Sequence, residues 1–272
     1  MTGLRTLAGA VVLTALSFPL LSQQAPPTTG YHTVQCIKTK PDKGLEYRKW
    51  AESELHKSAQ VLVDSGRLSS WLLVRAVVPA GSANACDYVV ILIYPGLPPQ
   101  PLGIEDLGAV LKKAGLTMTP EEYVQHRDSV STLVYSAIWQ NLVSVGSMQK
   151  GDYLIVNEMK APNPEDWVAY ERKMWQPVAE QMDKEGLTRG WSVNVLVMPP
   201  RGSEIRANGV TVDVFPSWDA VFKAQIDPEF YNRWRKVHPD MEFGTTFEQY
   251  EKLRNNLTAN LFHIDDMIGA SK

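Results

Sequence analysis

The pattern of apolar and polar residues after position 30 changes between the period of a strand and the period of a helix. Residues 31–40 alternate with a period of two, which predicts a β-strand. Across 45–65 the large apolar residues recur every three or four positions, which predicts a helix, and Gly66 stands where a C-capping glycine is common. Two short apolar runs follow at 71–78 and 87–94, each ended by a proline, and both predict buried strands.

The same order of elements returns about 120 residues further along the chain. Residues 153–160 predict a strand again, and Asn163 followed by Pro164 predicts the start of a helix, as N-cap and first helical residue. The segment 210–215 predicts the strand that matches 87–94. The landmark residues that keep this spacing are Gly66 and Gly186, Trp71 and Trp191, and Pro79 and Pro199. Because the order of the elements, the helix-capping residues and the prolines that end strands all agree, the sequence indicates an internal repeat.

Each copy continues with two helices and closes on an apolar segment. Thr119 and Glu122 have the spacing of a capping box, with a proline at the first helical position, and Thr246 and Gln249 repeat that spacing in the second copy. The expected helices are 104–114, 119–134, 227–236 and 246–257. The closing segments, 138–145 and 261–268, predict short strands, and a continued helix is the alternative there.

The order strand, helix, strand, strand, helix, strand is that of a ferredoxin-like βαββαβ unit, with the spatial strand order 4-1-3-2. The runs 71–78 and 89–94 are apolar on both faces, so each face needs a cover. Helices can cover one face and a sister sheet the other. The sequence therefore predicts an α+β fold with two tandem ferredoxin-like repeats, 26–149 and 150–272, packed sheet to sheet as an intrachain pseudo-dimer.

The N-terminal residues have the features of a secretory signal peptide. Arg5 precedes an uncharged apolar run at 7–21, and small and polar residues follow from Ser22 to Ala25. This predicts a signal peptide over 1–25, cleaved between Ser22 and Ala25, and a secreted or periplasmic protein without stable membrane insertion after cleavage. A permanent N-terminal anchor is the alternative, although the run is shorter than the usual span of about 20 residues.

The two cysteines, Cys36 and Cys86, allow a single disulfide in an oxidising compartment. Cys36 lies past the middle of the first predicted strand and Cys86 opens the third. These strands are antiparallel neighbours in the predicted order, so the two thiols can approach each other. Two separate buried thiols are the alternative, because cysteine is a common core residue.

Composition and motifs exclude several classes of protein. The net charge of −3 and the pI near 6.0 argue against nucleic acid as a partner, since its binders concentrate Lys and Arg on one face. The chain has none of the common catalytic or phosphate-binding motifs. The five histidines are far apart in the sequence, so we expect neither a metal site nor a cofactor.

One segment resembles a known superfamily. The run from Trp175 to Gly186, followed by Gly190 and Trp191, is similar to the dimeric α/β-barrel superfamily, most closely to its NIPSNAP-type branches. The resemblance implies tandem barrel units over most of 31–270. It also implies membership of a group that includes cofactor-independent monooxygenases, isomerases and haem enzymes.

The resemblance gives a meaning to one set of aromatic residues. In this fold the first helix and the second strand border the space that holds ligands. The aromatic residues on those elements are Tyr47, Trp50 and Trp71 in the first copy, and Trp167, Tyr170 and Trp191 in the second. They predict a pocket for an apolar or planar small molecule, and an aromatic-rich core is the alternative. Glu158 and Asp213 interrupt apolar strands, and each is a pocket candidate if it faces inward.

The function expected from the sequence is that of an exported small-molecule-binding or accessory protein. The first alternative is an enzyme, either a cofactor-independent monooxygenase or an isomerase of the dimeric α/β-barrel type. The second is a structural or interaction protein without a ligand. The sequence leaves open whether the chain is an enzyme and whether it is a monomer or a homodimer.

Overall fold

The computed structural model describes residues 30–79, 86–198 and 207–269, so the predicted signal peptide lies outside the described residues. The strands are β1 Tyr31–Thr39, β2 Ser70–Val78, β3 Tyr88–Tyr94, β4 Ser131–Gly146, β5 Tyr153–Lys160, β6 Gly190–Met198, β7 Gly209–Phe215 and β8 Asn255–Ile268. The helices are α1 Gly44–Trp50, α2 His56–Asp64, α3 Ile104–Lys113, α4 Pro120–Val130, α5 Pro164–Lys184, α6 Trp218–Gln225, α7 Phe230–Val237 and α8 Phe243–Glu251, and a π-helical segment, Ala51–Leu55, joins α1 to α2.

The eight strands form one closed antiparallel barrel in the order β1-β3-β2-β8-β5-β7-β6-β4. We call residues 31–146 the first half and residues 153–268 the second half. Within each half the strand order is 4-1-3-2, as predicted. The prediction of two sheets packed face to face needs correction, because the half-sheets join edge to edge through the pairs β2–β8 and β4–β6. This pairing satisfies backbone groups that two separate sheets would leave exposed at their edges.

Closure explains why the strands are apolar on both faces. On β2, Leu72 and Val74 point into the barrel, and Trp71 and Leu73 point outward. The outward residues form a core with α1 and α2, and all four are almost completely buried. The second half repeats this arrangement, with α5 packed against its outer face. The barrel therefore has an inner core and one outer core under the helices of each half.

Several predicted helix boundaries agree with the structure. Thr119 caps α4 through a capping box with Glu122, and Asn163 caps α5 with Pro164 as the first helical residue. Gly66 and Gly186 follow their helices with φ of 73° and 71°, a conformation that glycine adopts without steric cost. In the described part of the chain, no helix has both the length and the apolar character that a membrane span requires.

The last strand of each half is longer than predicted, and this corrects the neighbouring helices. β4 begins at Ser131 and β8 at Asn255, so the helices before them end earlier than expected. Each of these strands pairs with strands of both halves, and these long-range pairs outweigh local helix propensity. Glu242 caps α8, which places Thr246 inside that helix instead of at its start. Helix α6 was not predicted.

Two buried carboxylates near the end of β8 pair with basic groups of neighbouring elements. Asp265 accepts a 2.8 Å hydrogen bond from Arg75 of β2, and Asp266 accepts a 2.9 Å hydrogen bond from Lys150. His56 Nδ1 lies 2.6 Å from Asp266 Oδ2, so helix α2 is joined to the same strand. His56 therefore has a direct partner on the other half.

The predicted disulfide between Cys36 and Cys86 is confirmed. The two Cα atoms are 5.1 Å apart, and the bond closes a segment with a sequence separation of 50. Both cysteines are buried in the inner core of the barrel. The bridge therefore links β1 to the segment that enters β3.

Replacing both cysteines, in Cys36→Ala with Cys86→Ala, should lower the free energy of unfolding by about 4 kcal/mol, the value for a closed loop of this length. Denaturant unfolding at equilibrium measures the change. A reductant should destabilise the wild type and leave the double variant unchanged. Equal stability of the two proteins without reductant would contradict the prediction.

Candidate functional site

The outer core of the second half contains a buried carboxylate on strand β7. Asp213 is the cross-strand neighbour of Trp191, and in the first half the corresponding neighbour of Trp71 is Leu92. Asn157 Nδ2 donates a 2.9 Å hydrogen bond to Asp213 Oδ2. Burial raises the pKa of Asp213 to about 6, yet the side chain keeps some accessible surface. The raised pKa shows that the partly exposed carboxyl is poorly solvated.

A second carboxylate faces the same core from helix α5. Glu171 is 1% exposed, and its Oε1 accepts a 2.8 Å hydrogen bond from Trp167 Nε1 and another from the Tyr250 hydroxyl. Burial, with a smaller contribution from the charge of Asp213, raises its pKa to about 7, although the hydrogen bonds from Tyr250 and Trp167 act in the opposite direction. At the repeat spacing its counterpart in the first half is Ala51, which is fully buried. The second half thus has two interacting acids where the first half has apolar side chains.

Close backbone packing fixes the position of Trp167. Its ring lies against Gly209 of β7, where an added Cβ atom would come within 2.6 Å of ring atom Cζ3. Trp167 is completely buried. The glycine therefore lets the indole approach the strand and aim Nε1 at Glu171.

A third charged residue lies just before the last strand of the second half. Arg254 is 8% exposed, and its guanidinium carbon is 3.9 Å from the centre of the Tyr250 ring. Its Nη2 is 3.7 Å from Glu251 Oε1, whereas Nε and Nη1 have no hydrogen-bond partner among the described residues. By the strand-pairing register its counterpart in the first half is Ser131, which is 2% exposed.

An open cleft of about 320 Å³ lies beside this cluster, between α5 and α8. Tyr170 and Met174 line it from α5, and Thr246 is among the residues that line it from α8. The Tyr170 ring stacks on Tyr250 with ring centres 5.5 Å apart, and its hydroxyl donates to the carbonyl of Thr246. Because Tyr250 bonds Glu171, two tyrosines connect the cleft to the buried acids.

The structure places the six predicted pocket residues in two separate cores, one in each half. In the second half Trp167, Tyr170 and Trp191 surround the acidic cluster. In the first half Tyr47, Trp50 and Trp71 are buried under the helices; Trp50 also contacts Tyr123, with ring centres 5.3 Å apart. The structure does not bring the two sets together. A role of all six in ligand binding stays a prediction.

The sequence pattern singled out Asp213 and Glu158 and missed the other charged residues of the site. Glu158 lies on the same face of β5 as the inward-facing Leu154 and Val156, and burial raises its pKa inside the barrel. Glu171 could have been found, since it lies four residues after Trp167 on the buried face of α5. Arg254 has no comparable signal. Within the described residues, no three His, Cys, Asp or Glu side chains could together hold a metal ion.

Stability should depend on pH through Glu171. Between its ordinary pKa of 4.5 and about 7, the folded protein keeps a proton that the unfolded chain has released. The free energy of unfolding therefore falls as the pH rises through this range, by up to about 3 kcal/mol. Glu171→Gln should flatten this dependence in denaturant unfolding, and Glu165→Gln, at an exposed position of α5, should not. An unchanged slope in Glu171→Gln would contradict the prediction.

Packing at Gly209 gives a second test. Gly209→Ala should displace Trp167 and lower the free energy of unfolding by about 1–3 kcal/mol through overpacking. Gly96→Ala is the matched control, because an added Cβ there meets no atom within 4 Å. Thermal unfolding of both variants makes the comparison, and equal melting temperatures would show that the close approach does not matter.

Solved structures share the fold at low sequence identity. A candidate monooxygenase from Fusobacterium nucleatum is 10% identical, with a TM-score of 0.56 over 89% of this chain and 94% of its own. A candidate monooxygenase from Lactobacillus acidophilus is 11% identical, with a TM-score of 0.51 over 89% and 98%. An anthrone oxidase-like protein is 11% identical, with a TM-score of 0.50 over 88% and 92%.

No model of a known protein family matches the sequence, and no curated protein matches it at a significant level. The closer likeness to NIPSNAP-type proteins stays a prediction. At about 10% identity the structural neighbours establish the fold alone. The chain shares the fold of these solved structures and forms a closed eight-stranded barrel.

Proposed function

We propose that this chain is a small-molecule enzyme in which Asp213 removes a proton from a planar substrate bound under α5 in the second half. The observation that carries the proposal is the buried Asp213 carboxyl, with a pKa of about 6, beside a second acid. The same position in the first half is Leu92, so core packing alone does not require a carboxyl there. Perturbed carboxyls of this kind are frequent at catalytic sites.

The two acids suit different tasks in proton transfer. With a pKa of about 6, Asp213 is mostly ionised at neutral pH and accepts a proton from an acidic C–H or O–H group. The substrate keeps the electron pair as an enolate or phenolate. Glu171, with a pKa of about 7, is partly protonated and can return a proton at another position. Asn157 holds the Asp213 carboxyl in place through its hydrogen bond.

The structural neighbours favour cofactor-independent monooxygenation as the overall reaction. Two of them are candidate monooxygenases, and one is an anthrone oxidase-like protein. Anthrone is a planar ketone with an acidic methylene group. Loss of that proton produces an electron-rich anion that can react with dioxygen. An isomerase is the second candidate, because the two acids could move a proton between positions of one substrate without an oxidant.

The remaining interpretation of the same site is a small-molecule-binding or accessory protein that catalyses no reaction. It is supported by the cleft between α5 and α8 and by the aromatic rings around it. This reading requires no particular protonation state of Asp213. The two readings therefore differ in what replacing that carboxyl does.

We also infer that the two halves are copies of one unit and that the second half occupies the place of a partner subunit. The equal strand order and the recurring Gly66 and Gly186 support this inference. The copy would allow a monomer to form a complete barrel, although a homodimer is compatible with it. Export through the predicted signal peptide is supported by the Cys36–Cys86 disulfide, since such bonds persist in oxidising compartments.

Anaerobic hydrogen–deuterium exchange isolates the proposed proton transfer. With anthrone and a panel of phenols and enolisable ketones, the wild type should accelerate exchange of the acidic protons into deuterated solvent. Asp213→Asn should reduce the catalysed rate about 10²–10⁴-fold, the usual contribution of a general base. Nuclear magnetic resonance of the substrate measures the rate.

The matched control is Asp219→Asn on α6, whose carboxyl is 73% exposed and paired with Lys223. This variant should keep the wild-type rate. Equal exchange rates for Asp213→Asn and the wild type, or no catalysed exchange with any compound of the panel, would count against the proposed enzyme. Oxygen uptake by the active pair of protein and compound then separates a monooxygenase from an isomerase.

A further inference from the structure

The guanidinium of Arg254 is a buried positive charge with only one, distant carboxylate partner. It is 8% exposed, and only Nη2 approaches a carboxylate, at 3.7 Å from Glu251. Nε and Nη1 have no hydrogen-bond partner among the described residues. Burial of an unpaired charge is costly, so a protein that keeps one in its core normally supplies a partner.

The repeat shows that this charge is not needed to build the fold. The strand-pairing register matches Arg254 with Ser131 of the first half, which is 2% exposed and uncharged. A neutral side chain therefore fills the same position in the same architecture. The second half has an arginine there, beside Tyr250, which bonds Glu171. Arg254 thus belongs to the same set of charged replacements as Glu171 and Asp213.

We propose that Arg254 binds a carboxylate carried by the planar substrate of this site. The proposal rests on the proposed function and names its substrate class. A guanidinium matches the planar geometry of a carboxylate and remains charged at every relevant pH. The ring of Tyr250 covers one side of the guanidinium and suits an aromatic or other planar body. A doubly charged phosphate fits less well, because Glu171 and Asp213 lie nearby and would repel it.

Binding requires a small rearrangement of the protein. Nε and Nη1 have essentially no accessible surface. A carboxylate can therefore reach these nitrogens only if the groups around them move.

The test compares benzoate with its neutral analogue benzamide by calorimetric titration and by melting temperature. The wild type should bind benzoate about 10-fold to 100-fold more tightly than benzamide, as expected for charge-assisted hydrogen bonds. Arg254→Gln should remove this preference and leave benzamide binding unchanged. Arg254→Lys should keep part of it. Arg127→Gln on α4, an exposed arginine paired with Asp128, is the matched control and should bind like the wild type.

The proposal is overturned if benzoate binds no more tightly than benzamide, if Arg254→Gln keeps the preference, or if benzoate causes no change up to its solubility limit. Inorganic phosphate that binds better than benzoate and depends on Arg254 would also overturn the assignment to a carboxylate. Asp213→Asn should still prefer benzoate. Asp213→Asn could lose the exchange activity while Arg254→Gln still prefers benzoate over benzamide. That pair of results would leave the proposed enzyme intact and remove only this inference.

Discussion

Closure of the barrel is the constraint on which the rest of the structure depends. Eight antiparallel strands can close only if the outer strands of the two half-sheets pair across both seams. Every strand then has a lumen face that needs apolar residues and an outer face that needs helices. The ion pair between Arg75 and the buried Asp265 links β2 to β8 across one seam, and the Cys36–Cys86 disulfide holds β1 to the entry of β3. The burial of both faces of the strands is therefore a consequence of barrel closure.

The same constraint determines where chemistry can be placed. A closed barrel gives each half an equivalent core between its sheet and its helices. Each core contributes to stability only if its side chains are well packed. The first half has the uncharged residues Ala51, Leu92 and Ser131 at three positions of this core. The second half has Glu171, Asp213 and Arg254 there. Charged groups in a core are expensive, so this difference is better explained by a function than by folding.

Local rules predicted much of the fold from the sequence. The caps at Thr119 and Asn163, and the left-handed Gly66, depend on residues close in the chain, and these predictions are correct. The starts of β4 and β8 depend on pairing with strands of the other half, which no local pattern encodes. The seams were missed for the same reason.

The site was only partly predictable. Asp213 stands out because it interrupts an apolar strand, and comparison with Leu92 of the other copy strengthens that signal. Glu171 resembles an ordinary helix-surface glutamate unless its position on the buried face is examined. Arg254 comes to lie beside Tyr250 because the chain turns after α8. The sequence pattern does not show this turn, so it does not show the buried environment of Arg254.

The titration of the two buried carboxyls tests the central claim most directly. Carbon-13 chemical shifts of the Asp and Glu side-chain carboxyls, followed against pH, report each protonation, and the variants Asp213→Asn and Glu171→Gln assign the signals. The account predicts a midpoint of about 6 for Asp213 and a midpoint of about 7 for Glu171. Midpoints for both at the ordinary values of 3.8 and 4.5 would contradict it, because the acids would then be solvated surface groups.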